Sequence, residues 1–442
     1  LASLRLPSAH NRTQRDTARS TAAMCKTANQ KESKLKSATS GDENEVLIKG
    51  RWYSIKDFAR KHPGGRIVNF YKGKDASQAY REFHTRSTKA DKWLKAMKSR
   101  PAKQGDSVID TDALTKDFVQ LRKDLEAEGF FKPDYVHVCF RFAEIIAMHA
   151  IGLYLCFNGW VLTGLTILGV AEGRCGWLMH EGGHNSLTGH IPTDHFLQVL
   201  TYGLGCGMSA AWWRNQHNKH HAMPQKLEHD VDLNTLPLVL FHLDAADHQK
   251  KVPKSKTWIR MQALLFPNLI CSLVAAFWQL YLHPRHALRT KHYSELVCMA
   301  ARWAFIFAYL PQFYSFWTVF ACAIFSNGIG ATYIFTNFAV SHTHLPVVKA
   351  DEDVSWVIYS ARHTMNVDSG AFGWVDWWMS YLNFQIEHHL FPSMPQFRHP
   401  IVSKRVKALF EKHGVPYLRM SYVDAMKTTF SNLDHVGHAF YG

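Results

Sequence analysis

The stretch Gln385-Ile-Glu-His-His389 decides how the chain has to fold. Its spacing repeats that of His217-Asn-Lys-His-His221, and His180-Glu-Gly-Gly-His184 adds two histidines four residues apart. Residues at i, i+3 and i+4 lie on one face of a helix. We call these segments box three, box two and box one. Because they lie far apart in the chain, only a fold that brings distant helices together around one object unites them, and we predict a polynuclear metal centre.

A bound metal explains the boxes better than ordinary buried histidines do. Three imidazoles at this spacing repel one another when protonated, and they lose hydration when buried without a ligand. A further candidate is His342, which follows the last apolar segment and is favoured over its neighbour His344. The amide of Gln385 is a weaker donor than imidazole. The predicted ligands are His180, His184, His217, His220, His221, His342, Gln385, His388 and His389.

Box one on its own also matches the H-E-x-x-H pattern of zinc proteases, in which two histidines hold zinc and the glutamate is the base. A catalytic zinc site needs three protein ligands and a water. Five further imidazoles in boxes two and three are surplus to such a site, which argues against a protease. Imidazole suits iron, zinc and copper alike, so the donors by themselves leave the metal open.

The composition fits a membrane protein. The 442 residues are 47% hydrophobic, and the formal charge is +15. An excess of Lys and Arg marks the cytosolic loops of membrane proteins, and the chain has no recognised nucleic-acid motif, so we predict no nucleic-acid partner. The eight cysteines form no CxxC pair, which fits a reduced compartment.

Residues 46–105 are predicted to form a small α+β haem domain. Two short strands are expected on either side of a turn at Lys49-Gly50, and a short helix that begins at Asp57 must end at Pro63-Gly64-Gly65. His62 and His84 are then held on opposed loops, where two imidazoles can clamp a haem iron and suit it to electron transfer. The pattern Trp52-Tyr53, His62-Pro-Gly-Gly65 and Phe83-His84 resembles cytochrome b5.

Three other segments complete the predicted organisation. Residues 1–45 are polar and rich in Arg, Ser and Thr near their start, so we expect a disordered or targeting tail. Residues 106–134 are expected to form a linker with an amphipathic helix. Residues 135–442 are expected to form the membrane domain that carries the boxes.

Apolar runs predict the membrane helices. Residues 138–157 and 159–171 are expected to cross and return, and residues 196–213 suit a shallow helix. Three further runs lie at 262–282, 301–319 and 320–340. Only two of these can span, because otherwise box three would lie on the opposite face from the other boxes. The predicted fold class is an α-helical membrane protein with about four transmembrane helices and a cytosolic histidine-rich cap, fused to the haem domain.

The ordered boxes behind His62-Pro-Gly-Gly65 closely resemble the front-end fatty-acyl desaturases, most of all the microalgal enzymes that act at the Δ6 position. Surrounding motifs agree, including Arg174-Cys-Gly-Trp177, Asp230-Val-Asp232 and the run from Asn383 to Pro392. The resemblance implies O₂-dependent insertion of a cis double bond into a polyunsaturated acyl chain. The acyl carrier would be CoA or a phospholipid.

The resemblance also implies the cofactors and the location. It implies two iron ions, haem b, and electrons from NADH through a cytochrome b5 reductase. It places a multi-pass protein in the endoplasmic reticulum membrane with the boxes and haem domain on the cytosolic side, ahead of a plastid membrane. No catalytic residue beyond the metal ligands is expected. The carboxylates expected to orient the imidazoles are Glu181, Asp230, Asp232 and Glu387.

Several alternatives stay open at this point. Within the same class these are Δ5, Δ8 or Δ4 acyl regioselectivity, a sphingolipid Δ8 long-chain-base substrate, and a hydroxylase built on the same metal centre. From other classes they are the zinc protease and an electron carrier with a degenerate membrane domain.

Overall fold

The protein is described from a computed structural model that covers residues 41–107, 112–248, 256–349, 352 and 355–441. Almost all of the predicted tail, residues 1–45, lies outside the described residues. The rest is mostly helical, and its first sixty residues carry a small sheet.

The haem domain is built on a three-stranded antiparallel sheet of Glu45–Ile48, Arg51–Ser54 and Ser99–Pro101. Two strands match the prediction and the third was not predicted. The prediction of a short helix that begins at Asp57 was wrong, because this segment forms a series of turns. Further elements of the domain are the 3₁₀ helix Gly65–Tyr71 and the helices Ser77–His84 and Lys89–Ala96.

The Pro-Gly-Gly turn of the haem domain has a steric explanation. Gly65 has a φ of +70°, a conformation that glycine adopts without cost. A Cβ on Gly64 would lie 3.0 Å from Cε1 of His62. The two glycines therefore let the chain reverse tightly against the His62 ring and begin the 3₁₀ helix.

The predicted linker helix is present at Ala113–Ala127 and packs against box three. The Asp112 side chain accepts hydrogen bonds from the backbone of Leu114 and Thr115 and so begins the helix. Its buried residues share a core with the helices that carry and follow box three, and Phe118 stacks on Phe391 at 5.4 Å between ring centroids. The linker thus couples the haem domain to the metal centre.

The first two membrane helices, Tyr135–Phe157 and Val161–Gly183, form the predicted hairpin. Within the residues that the structure describes, three helices are long and apolar enough to cross a membrane: Tyr135–Phe157, Gln262–Arg289 and Phe316–Ala339. The helix Val161–Gly183 is not one of them, because its second half carries charged and box residues. It still packs closely on Phe316–Ala339, since a Cβ on Gly173 would lie 2.2 Å from the Tyr333 ring.

The predicted boundary between the runs 301–319 and 320–340 was wrong, because the two helices are divided before residue 316. A helix begins at Tyr293 and continues through π and 3₁₀ turns to Gln312, and the next begins at Phe316, where the Ser315 side chain accepts from the backbone of Thr318. Pro311 and the Ser315 cap separate two segments whose hydropathy is continuous.

Polar contacts hold the helix Gln262–Arg289 near both of its ends. Gln262 pairs its amide with the backbone of Leu240, and the His283 ring accepts from the backbone of Ser209, one residue before the box-two helix. The second end therefore lies next to the box-two helix. Which two of the three later runs cross a membrane stays a prediction.

The remaining elements form the cap that holds the boxes. Two short strands, Asn366–Val367 and Arg419–Met420, pair in parallel within it. Its helices include two short ones before Gln262–Arg289. They are Ile191–Val199, Ala210–Ala222, Leu243–His248, Lys256–Arg260, Trp356–Arg362, Trp374–Trp378, Gln385–Leu390, His399–His413 and Tyr422–Tyr441.

A buried ion pair predicts how strongly the haem domain depends on the linker. Arg122 Nε donates to Glu82 at 3.0 Å, and both side chains are almost fully buried. Arg122→Ala should lower the free energy of unfolding by about 3–5 kcal/mol, because it leaves a buried carboxylate without its partner. Denaturant unfolding in detergent, followed by haem absorbance, measures this loss.

The exposed pair Arg405–Glu128 is the matched control, and Arg405→Ala should cost about 0–1 kcal/mol. Replacing both buried partners, as Glu82→Leu with Arg122→Met, should recover most of the stability. Equal losses at Arg122 and Arg405 would contradict the buried role.

Candidate metal centre

The structure brings all eight predicted histidine ligands together and divides them into two groups. Within each group the potential ligand atoms lie within 4.8 Å of one another. Site one contains the two histidines of box one with three from the other boxes: His180, His184, His217, His221 and His388. Site two contains His220, His342 and His389.

Helix geometry explains why neighbouring histidines serve different sites. His217 and His221 are one turn apart and point into site one, whereas His220 is turned by about 100° from His221 and points into site two. In box three, His388 and His389 divide in the same way. The doubled histidine is therefore the part of each box that joins the two sites, and the His221 and His389 rings stack at 4.1 Å between them.

Hydrogen bonds on Nδ1 orient two imidazoles of site two. His220 Nδ1 donates to Asp230 at 2.9 Å, and Asp230 is held by the backbone N–H groups of Gln225 and Asp232. His342 Nδ1 donates to the carbonyl of His363 at 3.1 Å. In both rings Nε2 is left as the donor for a metal.

Box one has a different partner. The amide of Gln396 pairs with His180 Nδ1 at 2.9 Å, a contact that sequence reasoning missed. Of the four carboxylates expected to orient imidazoles, only Asp230 and Asp232 approach a box histidine. Glu181 accepts from the backbone of Gln396, and Glu387 accepts from Asn366 and Tyr417, so the expectation for these two was wrong.

The unpartnered nitrogens fit a bound metal. Nε2 of His180 and His184 and both ring nitrogens of His388 and His389 are buried and find no hydrogen-bond partner within the described ranges. The amide oxygen of Gln385 is also buried without such a partner. Unpaired buried polar atoms are costly. Here the histidines converge, so a bound metal ion would satisfy one nitrogen of each ring that it contacts.

Burial keeps most of these imidazoles neutral, which is the form that binds metal. Burial lowers the pKa of His184 and of His342 to about 3, and charge on His220 acts in the same direction. His220 is the exception. Burial would lower its pKa, but the carboxylates of Asp230 and Asp232 raise it to about 9. Asp230 therefore makes His220 the most basic donor in the centre.

His399 is a further buried histidine next to the centre, and no sequence pattern pointed to it. Its ring centroid lies 6.1 Å from that of His388, and neither of its nitrogens has a hydrogen-bond partner among the residues that the structure covers. It stands alone in the sequence, without the spacing that distinguishes the boxes.

His62 and His84 face each other as predicted, with ring centroids 6.1 Å apart. Each Nδ1 donates to a backbone carbonyl, that of Gly65 for His62 and that of Tyr80 for His84. Both Nε2 atoms are thus available, and the separation accommodates one iron with a metal–nitrogen bond of about 2 Å on each side. The pair fits a haem.

The haem domain lies directly against the box-two helix Ala210–Ala222. The Tyr71 hydroxyl donates to the carbonyl of Ala222 at 2.8 Å, and the Phe70 ring lies 4.7 Å from that of His229, the neighbour of Asp230. Both aromatic residues belong to the 3₁₀ helix that follows His62. The segment that follows His62 therefore lies against the end of the box-two helix and the neighbour of Asp230.

A cavity of about 570 Å³ begins at the histidines and continues into the membrane domain. His180, His220 and Gln385 lie on its wall near the centre, and apolar side chains line most of the rest. Trp212 and Trp213 also line it. Tyr381 packs instead against His137, and the Asn383 amide donates to the Val367 carbonyl and to Asp376.

Comparison with known proteins agrees with this site. Residues 124–421 match the fatty acid desaturase family, and residues 31–102 match the cytochrome b5-like heme/steroid binding domain. An acyl-lipid (8-3)-desaturase of Rebecca salina is 56% identical over 90% of this chain and 92% of its own length. A protein of the same name from Thraustochytrium sp is 46% identical over 90% and 94%.

A more distant relative is the fatty acid desaturase 2-like protein FADS2B of Mus musculus, which is 27% identical over 86% of this chain and 79% of its own length. The family match covers about two thirds of the chain, including all three boxes. The chain therefore belongs to the fatty acid desaturase family, as a front-end desaturase fused to an N-terminal cytochrome b5-like domain.

Proposed function

We propose that this enzyme is an acyl-lipid desaturase with the (8-3) regioselectivity that its two similar relatives carry in their names. The observation that carries the proposal is the pair of imidazole sites at the head of a long apolar cavity. The motifs predicted a different regioselectivity, with the new double bond at the Δ6 position. The names of the two relatives favour (8-3) regioselectivity over Δ6.

We assign iron to both sites, because a fused haem donor requires a redox-active partner and zinc has no redox chemistry. Site one would be held by its five histidines, and site two by its three, with Gln385 beside His342. Iron bound there would supply the oxidising power with which O₂, two electrons and two protons convert a CH₂–CH₂ unit to CH=CH, releasing two waters. The protein positions the chain and excludes bulk water.

The side chains around the cavity define the protein's own part in the reaction. Trp212, Trp213 and Phe338 form apolar walls beside the histidines, so an alkyl chain replaces water there. Asp230 fixes the tautomer and orientation of His220. The proposed reaction needs no general base, so no carboxylate is assigned that role.

We propose that electrons from NADH reach haem b, held by His62 and His84, through a cytochrome b5 reductase. The contact between Tyr71 and Ala222 then places the haem domain against box two. A fused donor has an effective concentration on the order of millimolar, so its encounter with the centre does not depend on diffusion.

We further propose that the chain consists of a haem domain at 46–105, a linker at 106–134 and a membrane domain at 135–442. The boxes and the haem would lie on the cytosolic side of the endoplasmic reticulum membrane.

Regioselectivity is tested by expression in yeast with defined polyunsaturated acyl chains, followed by mapping of the new double bond by mass spectrometry. With a chain whose first double bond is at carbon 8, the (8-3) proposal predicts a new double bond three carbons nearer the carboxyl end. A new double bond at carbon 6 of a C18 chain would instead support Δ6. His389→Ala should abolish product in either case, whereas its matched control His344→Ala, outside both sites, should keep it.

A wild-type enzyme that forms no new double bond from any of these chains contradicts desaturation. An oxygenated product in its place would identify a hydroxylase.

Asp230→Asn should weaken iron binding at site two by roughly 10–100-fold, the usual cost of losing a carboxylate that orients a metal-bound imidazole. Iron retained against increasing chelator, read by metal analysis of the purified enzyme, measures the change. The control is Asp232→Asn, because that carboxylate lies 3.4 Å from His220 and is 61% exposed. An equal effect of both variants would show that Asp230 has no special role.

His62→Ala should remove haem absorbance and abolish desaturation even in a host that supplies free cytochrome b5, because only the fused haem lies against box two. Iron content should stay at the wild-type level, since the boxes are untouched. Lys61→Ala, an exposed neighbour, should change neither quantity. Full product formation by the haem-free variant would show that the fused domain is dispensable.

A further inference from the structure

The membrane domain contains a second cavity, of about 540 Å³, separated from the first by polar side chains. The first cavity begins at the histidines. The second is lined by residues such as Phe157, Val161 and Tyr314, which lie at the helix ends farthest along the chain from the boxes. Glu172 and Asn327 line both cavities. These two residues therefore stand in the partition between them.

The partition is a hydrogen-bonded quartet with one residue from each of four helices: Glu172, Gln279, Arg302 and Asn327. Arg302 Nη2 donates to the Glu172 carboxylate at 2.7 Å. The Gln279 amide nitrogen lies 2.8 Å from the side-chain oxygen of Asn327 and 3.2 Å from Glu172. It also lies 2.8 Å from the carbonyl of Cys206. We call this group the quartet.

The hydrogen bonds of the quartet make it a barrier to an alkyl chain. Gln279 is 2% exposed and Glu172 is 8% exposed, in a region whose other walls are mainly apolar. A buried charge is tolerated only while it is paired, and separating the partners leaves unsatisfied groups. An alkyl chain that passed between these residues would break hydrogen bonds without replacing them. The quartet is thus a wall that an apolar chain end meets and does not cross.

The position of the quartet relative to the histidines is set by one helix. Glu172 precedes His180 by eight residues on Val161–Gly183, a rise of about 12 Å. The wall and the metal-facing histidine therefore belong to one rigid element. The distance from the histidines to the quartet is therefore fixed, and it limits the length of an acyl chain that extends from the histidines down the cavity.

We propose that the quartet is the floor of the acyl cavity and sets the longest acyl chain that the enzyme accepts, with Asn327 as the residue that separates the two cavities. This inference rests on the proposed function, since it assigns the methyl end of the acyl chain to the quartet. Asn327 is the residue to change, because it lines both cavities and carries no formal charge. Its loss leaves the Glu172–Arg302 pair and the Gln279–Cys206 contact in place.

The test uses full-length enzyme in yeast, supplied with an equimolar mixture of two polyunsaturated acyl chains that differ by two carbons at the methyl end. Asn327→Ala opens the first cavity toward the second and should raise the ratio of long to short product by roughly threefold or more, since one methylene in an apolar pocket changes selectivity by about tenfold or more. Asn327→Phe fills the partition and should lower the ratio. The matched control is Ser326→Ala, because Ser326 lines only the second cavity, and its ratio should be that of wild type.

Iron and haem content of each purified variant report folding independently of turnover. If Asn327→Ala leaves the ratio of long to short product unchanged, with wild-type iron, haem and total product, the quartet is not the floor of the acyl cavity. An equal rise in Ser326→Ala would overturn it as well, because the effect would then be general loosening. If wild type makes no product from either chain, the proposed function fails, whereas an active enzyme with an unshifted ratio refutes only the floor.

Discussion

The burial of eight imidazoles against one another is the constraint on which the rest of the structure depends. Without a shared ligand these rings lose hydration and retain unpaired nitrogens, and protonation would add repulsion. The two histidine groups are suited to metal binding, and a bound metal would satisfy nitrogens that are otherwise unpaired. Contacts from the cap orient individual rings, as Gln396 does for His180 and Asp230 for His220.

Two sites share the boxes, and their sharing has a mechanical consequence. Boxes two and three each supply both sites, so neither site can move independently of the other. The stacked His221 and His389 rings lie at this junction. The linker helix packs on the core behind box three, and the haem domain contacts the box-two helix. The haem domain is therefore packed against the same elements that carry the clustered histidines.

Polar groups have opposite roles at the two ends of the cavity. At the histidine end of the cavity, buried ring nitrogens have no hydrogen-bond partner among the described residues and converge. At the other end the quartet residues Glu172, Arg302, Gln279 and Asn327 hydrogen-bond to one another and separate this cavity from the second one. The apolar region between these ends suits an alkyl chain, and the chemistry of the two ends defines the direction in which the chain lies.

The sequence by itself singled out the eight histidines that the structure brings into two groups, because their i, i+3 and i+4 spacing stands out from that of ordinary histidines. It also singled out His62 and His84, whose rings lie close together, and the hairpin before box one, since these follow from local spacing and hydropathy. It failed where short-range signals compete, as at Asp57, where a turn replaces the expected helix, and across residues 301–340, where hydropathy does not mark the Ser315 cap. Only the tertiary structure decided which histidine serves which site and which carboxylates orient them. It also decided that Gln396, the His363 carbonyl and His399 lie beside the centre. Those contacts join residues remote in the chain, and no local pattern encodes them.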